Sequence, residues 1–259
     1  MPLLLFASYE DINSIASTVL WVLLGIGFIA LCIFAAIYAE KLRQQRIKDF
    51  IALAERHGFE YHPSGLMTTE ASPSFWNFFH IETDGVVHAL SEFPLFNVGH
   101  SKQAAPVLIK RSGGYEWLLF DYEYKITRSN GKSTTTTTYR FSVVLAKVPF
   151  QFPKLSLTPQ TPWHNLGKMV GLRELETESE AFNKRYYVST DDQRRSLEIL
   201  HPQVIDFLES RPIREWHYNG DIVLTHLPGH LTASTYEAMF EEISWLVSQV
   251  PQYYQQDNR

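Results

Sequence analysis

Residues 15–38 carry no charged side chain, and no other feature restricts this chain as much. The run reads IASTVLWVLLGIGFIALCIFAAIY. As a helix rising about 1.5 Å per residue it spans roughly 36 Å, so it crosses a hydrocarbon core about 30 Å thick with some tilt. Trp21 and Tyr38 lie toward its two ends, where amphipathic rings favour the headgroup level. A cleaved signal peptide would bring a basic leader and a shorter apolar core, and a buried soluble helix would show a polar face. Neither matches, so residues 15–38 read as a transmembrane helix and residues 1–14 as a short extracytoplasmic tail.

Charge sets the orientation. Lys41, Arg43, Arg46 and Lys48 follow the run, whereas no Lys or Arg precedes it. Positive residues stay inside, which predicts an outside N-terminus and a cytoplasmic remainder on a cell (inner) membrane. The same four side chains are candidates for contact with anionic lipid, although their role as topology determinants already explains them. Glu10, Asp11 and Glu40 precede residue 41, so 25 of the 28 acidic residues face all 23 basic ones beyond it. That near balance excludes a nucleic-acid footprint. Cys32, the one cysteine, lies within the apolar run, which rules out an intramolecular disulfide or a cysteine zinc site.

The residues beyond the span predict an α+β domain. Ile47, Phe50, Ile51 and Ala54 keep helical spacing, and Arg56, His57 and Gly58 end that pattern, so residues 39–58 read as a juxtamembrane amphipathic helix. Residues 59–251 read as the cytosolic domain and 252–259 as a fraying tail. Residues 66–105 are aromatic-rich without a clean period. Residues 107–111 form a strand, turned at Ser112, Gly113 and Gly114 into another beginning near Tyr115, which makes an antiparallel meander with the strand after Asn130-Gly131.

A two-residue turn at Asn130-Gly131 predicts Phe120 opposite Phe141, Tyr122 opposite Tyr139 and Asp121 opposite Arg140. Gly131-Lys132-Ser133-Thr134 mimics the end of a phosphate-binding loop. However, Ile126 stands where that motif needs its first glycine, and a threonine-rich strand follows instead of a helix. The prolines at 149, 153, 159 and 162 predict an extended or looped segment.

Thr190 reads as the cap of a helix starting at Asp191, and Pro202 as the first turn of the next. A second hairpin is centred on Asn219-Gly220. The last helix sets Tyr236, Met239, Phe240, Ile243, Leu246, Val247 and Val250 on one face, with a Ser234–Glu237 capping box and Pro251 as its stop.

The segment FNKRYYVSTDDQRRSLEILHPQVIDFLES resembles a widespread bacterial domain of unknown function. In that family a strand of the type F-x-[KR]-x-[FY]-x-V leads through an acidic turn to helices punctuated by L-x-P. Phe182, Lys184, Tyr186, Val188, Asp191, Asp192, Leu200 and Pro202 carry the likeness. The resemblance implies a single-span anchor with a cytosolic domain, and it transfers no catalytic motif, cofactor or site residue.

The residues themselves nominate no catalytic, cofactor-binding or metal site. H-E-x-x-H, C-x-x-C, G-x-S-x-G and G-x-G-x-x-G are missing beyond the span. His226 and His230 are separated by Pro228-Gly229 and so do not share a helix face. Glu60 with His62, and His80 with Glu82, place an acid near a base at strand spacing, a pattern too common to identify catalysis. Asp191 and Asp192 read as capping residues ahead of metal ligands. Two function classes follow: a membrane-anchored binding or scaffolding module, which the missing signatures favour, and a membrane-tethered enzyme, such as a hydrolase, whose residues converge only in the fold.

Overall fold

The computed structural model describes residues 9–64, 90–160 and 172–258. The expected pair His80–Glu82 and most of the aromatic-rich segment lie outside them. The chain divides into two compact units, Met1–Asp49 and Phe50–Arg259. Helix α1 (Tyr9–His57) contains the apolar run. Among the described residues it is the one helix long and apolar enough to cross a membrane, and its large apolar side chains lie exposed, Trp21 at 71%, Phe28 at 67% and Phe34 at 67%. Cys32 is exposed on the same helix. Lys41, Arg43 and Lys48 are exposed as well, Arg46 is half-buried, and Arg43 donates to Glu40 at 2.8 Å.

The second unit begins with the last two turns of α1, which bury Phe50, Leu53 and Ala54. Their i, i+3, i+4 spacing makes one apolar stripe. The helix stops where Gly58 takes φ +71, and Phe59 N then donates to the Ala54 carbonyl at 2.8 Å. Arg56 Nη1 and His57 Nε2 reach Glu237 at 2.8 and 2.7 Å, tying this turn to the last long helix.

The two bonds, His57 first and Arg56 next, hold the Glu237 carboxyl below its usual range. A depressed carboxylate stabilises the fold above its unfolded pKa, about 4.3, and loses that contribution as pH falls through its folded value. Glu237→Gln is therefore expected to lower stability at neutral pH, to change little at acid pH where the carboxyl is already protonated, and so to flatten the acid limb of the stability–pH curve below about pH 4, as read by urea unfolding at successive pH values.

Among the described residues, seven antiparallel strands form the sheet: β1 (Glu60–His62), β2 (His100–Ser112), β3 (Tyr115–Ser129), β4 (Thr134–Pro159), β5 (Arg173–Glu174), β6 (Tyr186–Thr190) and β7 (Glu215–Pro228). The order is β1-β2-β3-β4-β6-β5, with β7 on the other edge of β4. Six further α-helices and a 3-10 turn at Leu90–Glu92 complete the unit among the described residues: α2 (Pro94–Asn97), α3 (Glu180–Arg185), α4 (Gln193–Ile199), α5 (Pro202–Glu209), α6 (Ala233–Ser248) and α7 (Gln252–Asp257). The α+β class and the meander β2–β3–β4 are those the sequence predicts. One core joins α4, α5, α6, α7 and the end of α1 to the sheet; another packs Phe93, Leu95 and Phe96 against Phe120, Tyr122 and Leu224.

Several local expectations are corrected. The β3–β4 partners are offset by two residues: Ser129 faces Thr134, Tyr122 faces Phe141, and Glu123 faces Arg140. The loop is thus four residues long. Asn130 Oδ1 accepts from Lys132 N at 3.1 Å and Ser133 N at 2.9 Å, while Gly131 takes φ +81. A two-residue offset keeps every side chain on its expected face, and it brings Arg140 within 2.8 Å of Glu123.

The strand expected from Phe182 begins only at Tyr186, because residues 180–185 form α3, capped by Ser179. Thr190 ends β6, and Asp192 caps α4 by accepting from Arg195 N at 3.1 Å. Thr232 caps α6 in place of the expected Ser234–Glu237 box, since the helix starts at Ala233 and Glu237 is engaged by Arg56 and His57. The expected tail forms α7, whose fully buried Tyr254 donates to the Gln151 carbonyl at 3.1 Å.

The largest correction concerns residues 215–228. Asn219-Gly220 does not join a hairpin; β7 pairs along both of its arms with β4. Lys147 faces Ile222 and Phe152 faces Gly220, so four residues of β4 stand against one of β7. Such a bulge bends both strands, and Gly220, at φ +57, supplies the left-handed residue that the bend needs. Pro149 lies in the bulge, where a missing N–H costs no ladder bond. Pro153 and Pro159 likewise continue β4 instead of forming a loop.

Candidate functional site

The bend in β7 creates the one histidine cluster found among the described residues. Thr225 Oγ1 donates to the Glu215 carbonyl at 2.7 Å, which shows that the two arms meet. Glu215 and His217 alternate on the first arm and His226 lies on the second. Their rings stack nearly parallel, 8° between planes and 5.8 Å between centroids. His217 Nε2 lies 3.5 Å and His226 Nε2 3.4 Å from the same oxygen, Glu215 Oε2. All three donor atoms fall within 4.8 Å of one another.

His217 is buried, His226 nearly so, and the Glu215 side chain is 40% exposed, so the cluster opens to solvent through its carboxylate. Behind it, Ser156 Oγ lies 2.9 Å from His217 Nδ1. Phe141 presents its ring edge-on to His226 at 5.6 Å. Burial pushes the His217 imidazolium pKa down and so favours the neutral ring, against the opposing pull of Glu215. The two imidazoles, His217 first and His226 next, hold the Glu215 carboxyl well below the usual range and outweigh its burial.

Ser156, His217 and Glu215 have the composition of a hydrolytic triad but not its accessibility. Ser156 is 7% exposed within a strand, and it does not line the cavity described next. A nucleophile must reach its substrate.

A cavity of about 600 Å³ lies beside the Gly113-Gly114 turn, lined by Arg111, Tyr115, Glu116, Lys147, Pro149 and Asp221 among others. Its charges are paired: Arg111 Nε with Glu116 at 2.7 Å and Lys147 Nζ with Asp221 at 3.6 Å. Burial raises the Glu116 pKa, and Arg111 opposes the shift. No histidine lines this cavity.

The residues weighed from the sequence are dispersed. His226 joins the cluster, but His230 turns away, its Nδ1 3.8 Å from Asp121 Oδ2. Glu60 and His62 lie 3.7 Å apart on β1. Asp191 Oδ1 accepts from Lys154 N at 2.9 Å, so both residues of the Asp191-Asp192 pair have structural roles. Sequence reasoning missed Glu215 and His217. Their signal is the same acid–x–base alternation noted at Glu60 and His62, and it gains meaning only once the bend adds His226. The Gly131-Lys132-Ser133 segment forms a hairpin loop leading into β4, not a strand-to-helix phosphate loop.

No family model matches the chain, and no curated protein matches it. Among solved structures it is similar to the crystal structure of the mycobacterial trehalose monomycolate transport factor A, TtfA, with 12% identity and a TM-score of 0.47, over 79% of this chain and 95% of that one. A likeness of that degree assigns neither chemistry nor partner to this chain.

Proposed function

We propose that this chain is a single-pass membrane protein with its N-terminus outside and a cytoplasmic domain that binds or scaffolds a partner without catalysing a reaction. The exposed apolar surface of α1 carries the reading: Trp21, Phe28, Ile29 and Phe34 are 59–71% exposed, a cost in water that a bilayer removes. Lys41, Arg43, Arg46 and Lys48 support the orientation and provide the contact with anionic lipid. The likeness of residues 182–202 to a bacterial domain of unknown function supports the same arrangement.

Two observations favour binding over catalysis. The cavity charges are neutralised in pairs, and the histidines cluster away from them. The enzyme reading draws on Glu116, a buried acid with a raised pKa at the cavity wall. It would gain support if Glu116→Gln abolished a hydrolytic activity of the purified chain.

In sealed cells the full chain is expected to stay with the membrane through alkaline carbonate washing and to resist protease added outside beyond residue 41. Ile26→Arg with Ile29→Arg places two charges near the centre of the run, each costing about 2.5–3.5 kcal/mol there, and is expected to release the protein into the wash. Recovery of the unaltered chain in the aqueous fraction contradicts the anchor. Cleavage of its C-terminal domain from outside contradicts the orientation. Affinity capture from detergent-solubilised membranes, with and without residues 1–40, tests the binding role. A specific partner captured by the full chain supports it, and capture of none by either form contradicts it.

A further inference from the structure

We propose that Glu215, His217 and His226 form a site for a divalent transition metal of the Zn²⁺ class, which staples the two arms of β7 together across the bend at Gly220. The spacing of the donors carries the proposal. A tetrahedral ion with bonds of about 2.0–2.1 Å sets neighbouring donors about 3.3 Å apart. The two Glu215–imidazole separations are 3.4 and 3.5 Å. The same separations exceed the 2.7–3.2 Å usual for an N–H···O bond, so hydrogen bonding alone accounts for the convergence less well.

The surroundings fit a metal ligand set. With Nε2 of His217 as the ligand atom, Nδ1 carries the proton and donates to Ser156 Oγ, which fixes tautomer and ring orientation as an outer partner does. Two imidazoles and one carboxylate suit Zn²⁺ better than Mg²⁺ or Ca²⁺, which prefer all-oxygen shells. The half-exposed Glu215 gives the ion a route from solvent, and a water completes the fourth position.

Because the donors come from both arms, the bound ion closes the bend that Thr225 and the Glu215 carbonyl already draw together. A metal held this way stabilises the native state by mass action.

The test uses the full chain in detergent micelles, stripped of metal, with Co²⁺ and Zn²⁺ as probes. One equivalent of Co²⁺ is expected to give the intense visible absorption of a tetrahedral site, to be displaced by Zn²⁺, and to raise the thermal midpoint. His217→Ala and His226→Ala are expected to weaken Zn²⁺ binding at least about 100-fold, and Ser156→Ala about tenfold. His62→Ala, outside the cluster, is expected to bind as the unaltered chain does. Glu215→Gln keeps the side-chain volume at a half-exposed position, so it tests the site even if a histidine variant does not fold. Binding of less than a tenth of an equivalent would overturn the proposal. So would wild-type affinity in Glu215→Gln or in histidine variants whose circular dichroism is unchanged.

Discussion

Glu242→Ala is expected to destabilise the second unit by about 3–5 kcal/mol, a large part of the roughly 5–15 kcal/mol by which a domain is stable. Arg214 Nε donates to Glu242 Oε2 at 2.8 Å, and the two side chains are 9% and 6% exposed. Arg214 precedes β7 and Glu242 lies on α6, so the pair joins the site-bearing strand to the main helix. Removing the carboxylate leaves the buried Arg214 guanidinium without its charged partner. The cost comes from that lost compensation and not from the net worth of the bond. A joint replacement, Arg214→Met with Glu242→Leu, should therefore recover most of the loss. Urea midpoints measured on the full chain in micelles decide the matter. A single-variant loss below about 1 kcal/mol, the scale of an exposed pair, would contradict a buried charge pair.

Trp216→Ala is expected to cost a similar amount, about 3–5 kcal/mol, by a different route. Trp216 is 1% exposed, faces Leu157 of β4, and belongs to the core that α6 covers. Truncation loses apolar burial and leaves a cavity that two paired strands cannot close. A loss of this size lowers the thermal midpoint by on the order of ten degrees in a unit of about 200 residues. Trp216→Phe, which keeps most of the volume, should fall much less. Equal losses for the two variants would point to something other than volume. Glu215 and His217 flank Trp216, so Trp216→Ala should also weaken metal binding, although Trp216 supplies no ligand.

What could be read from the residues was local in origin. The charge-free run announced α1, and the 3.6-residue period of Tyr236, Met239, Phe240 and Ile243 matches the buried face of α6. Alternation and turn residues marked β2, β3 and β4. The failures also share a character. The Asn130 loop takes four residues because its side chain bonds two following N–H groups, which shifts the β3–β4 partners by two. Thr232 displaced Ser234 as the cap of α6 because Glu237 answers to Arg56 and His57, about 180 residues away in sequence. The polar residues after Pro251 looked unable to order, yet Tyr254 finds Gln151 and the Phe150 ring.

The candidate site shows the same division most clearly. Glu215 and His217 share a strand face by period alone, and the sequence determined that much. It also determined the apolar helix, the α+β class and the glycine at 220 that a left-handed bend requires. Only the tertiary structure decided that four residues of β4 would stand against one of β7, and that bulge is what folds His226 onto Glu215. The reason is physical: period and turn preference act over a few neighbouring residues, whereas the pairing of two long strands is set by the cores they bury together, and no short window of sequence contains those cores.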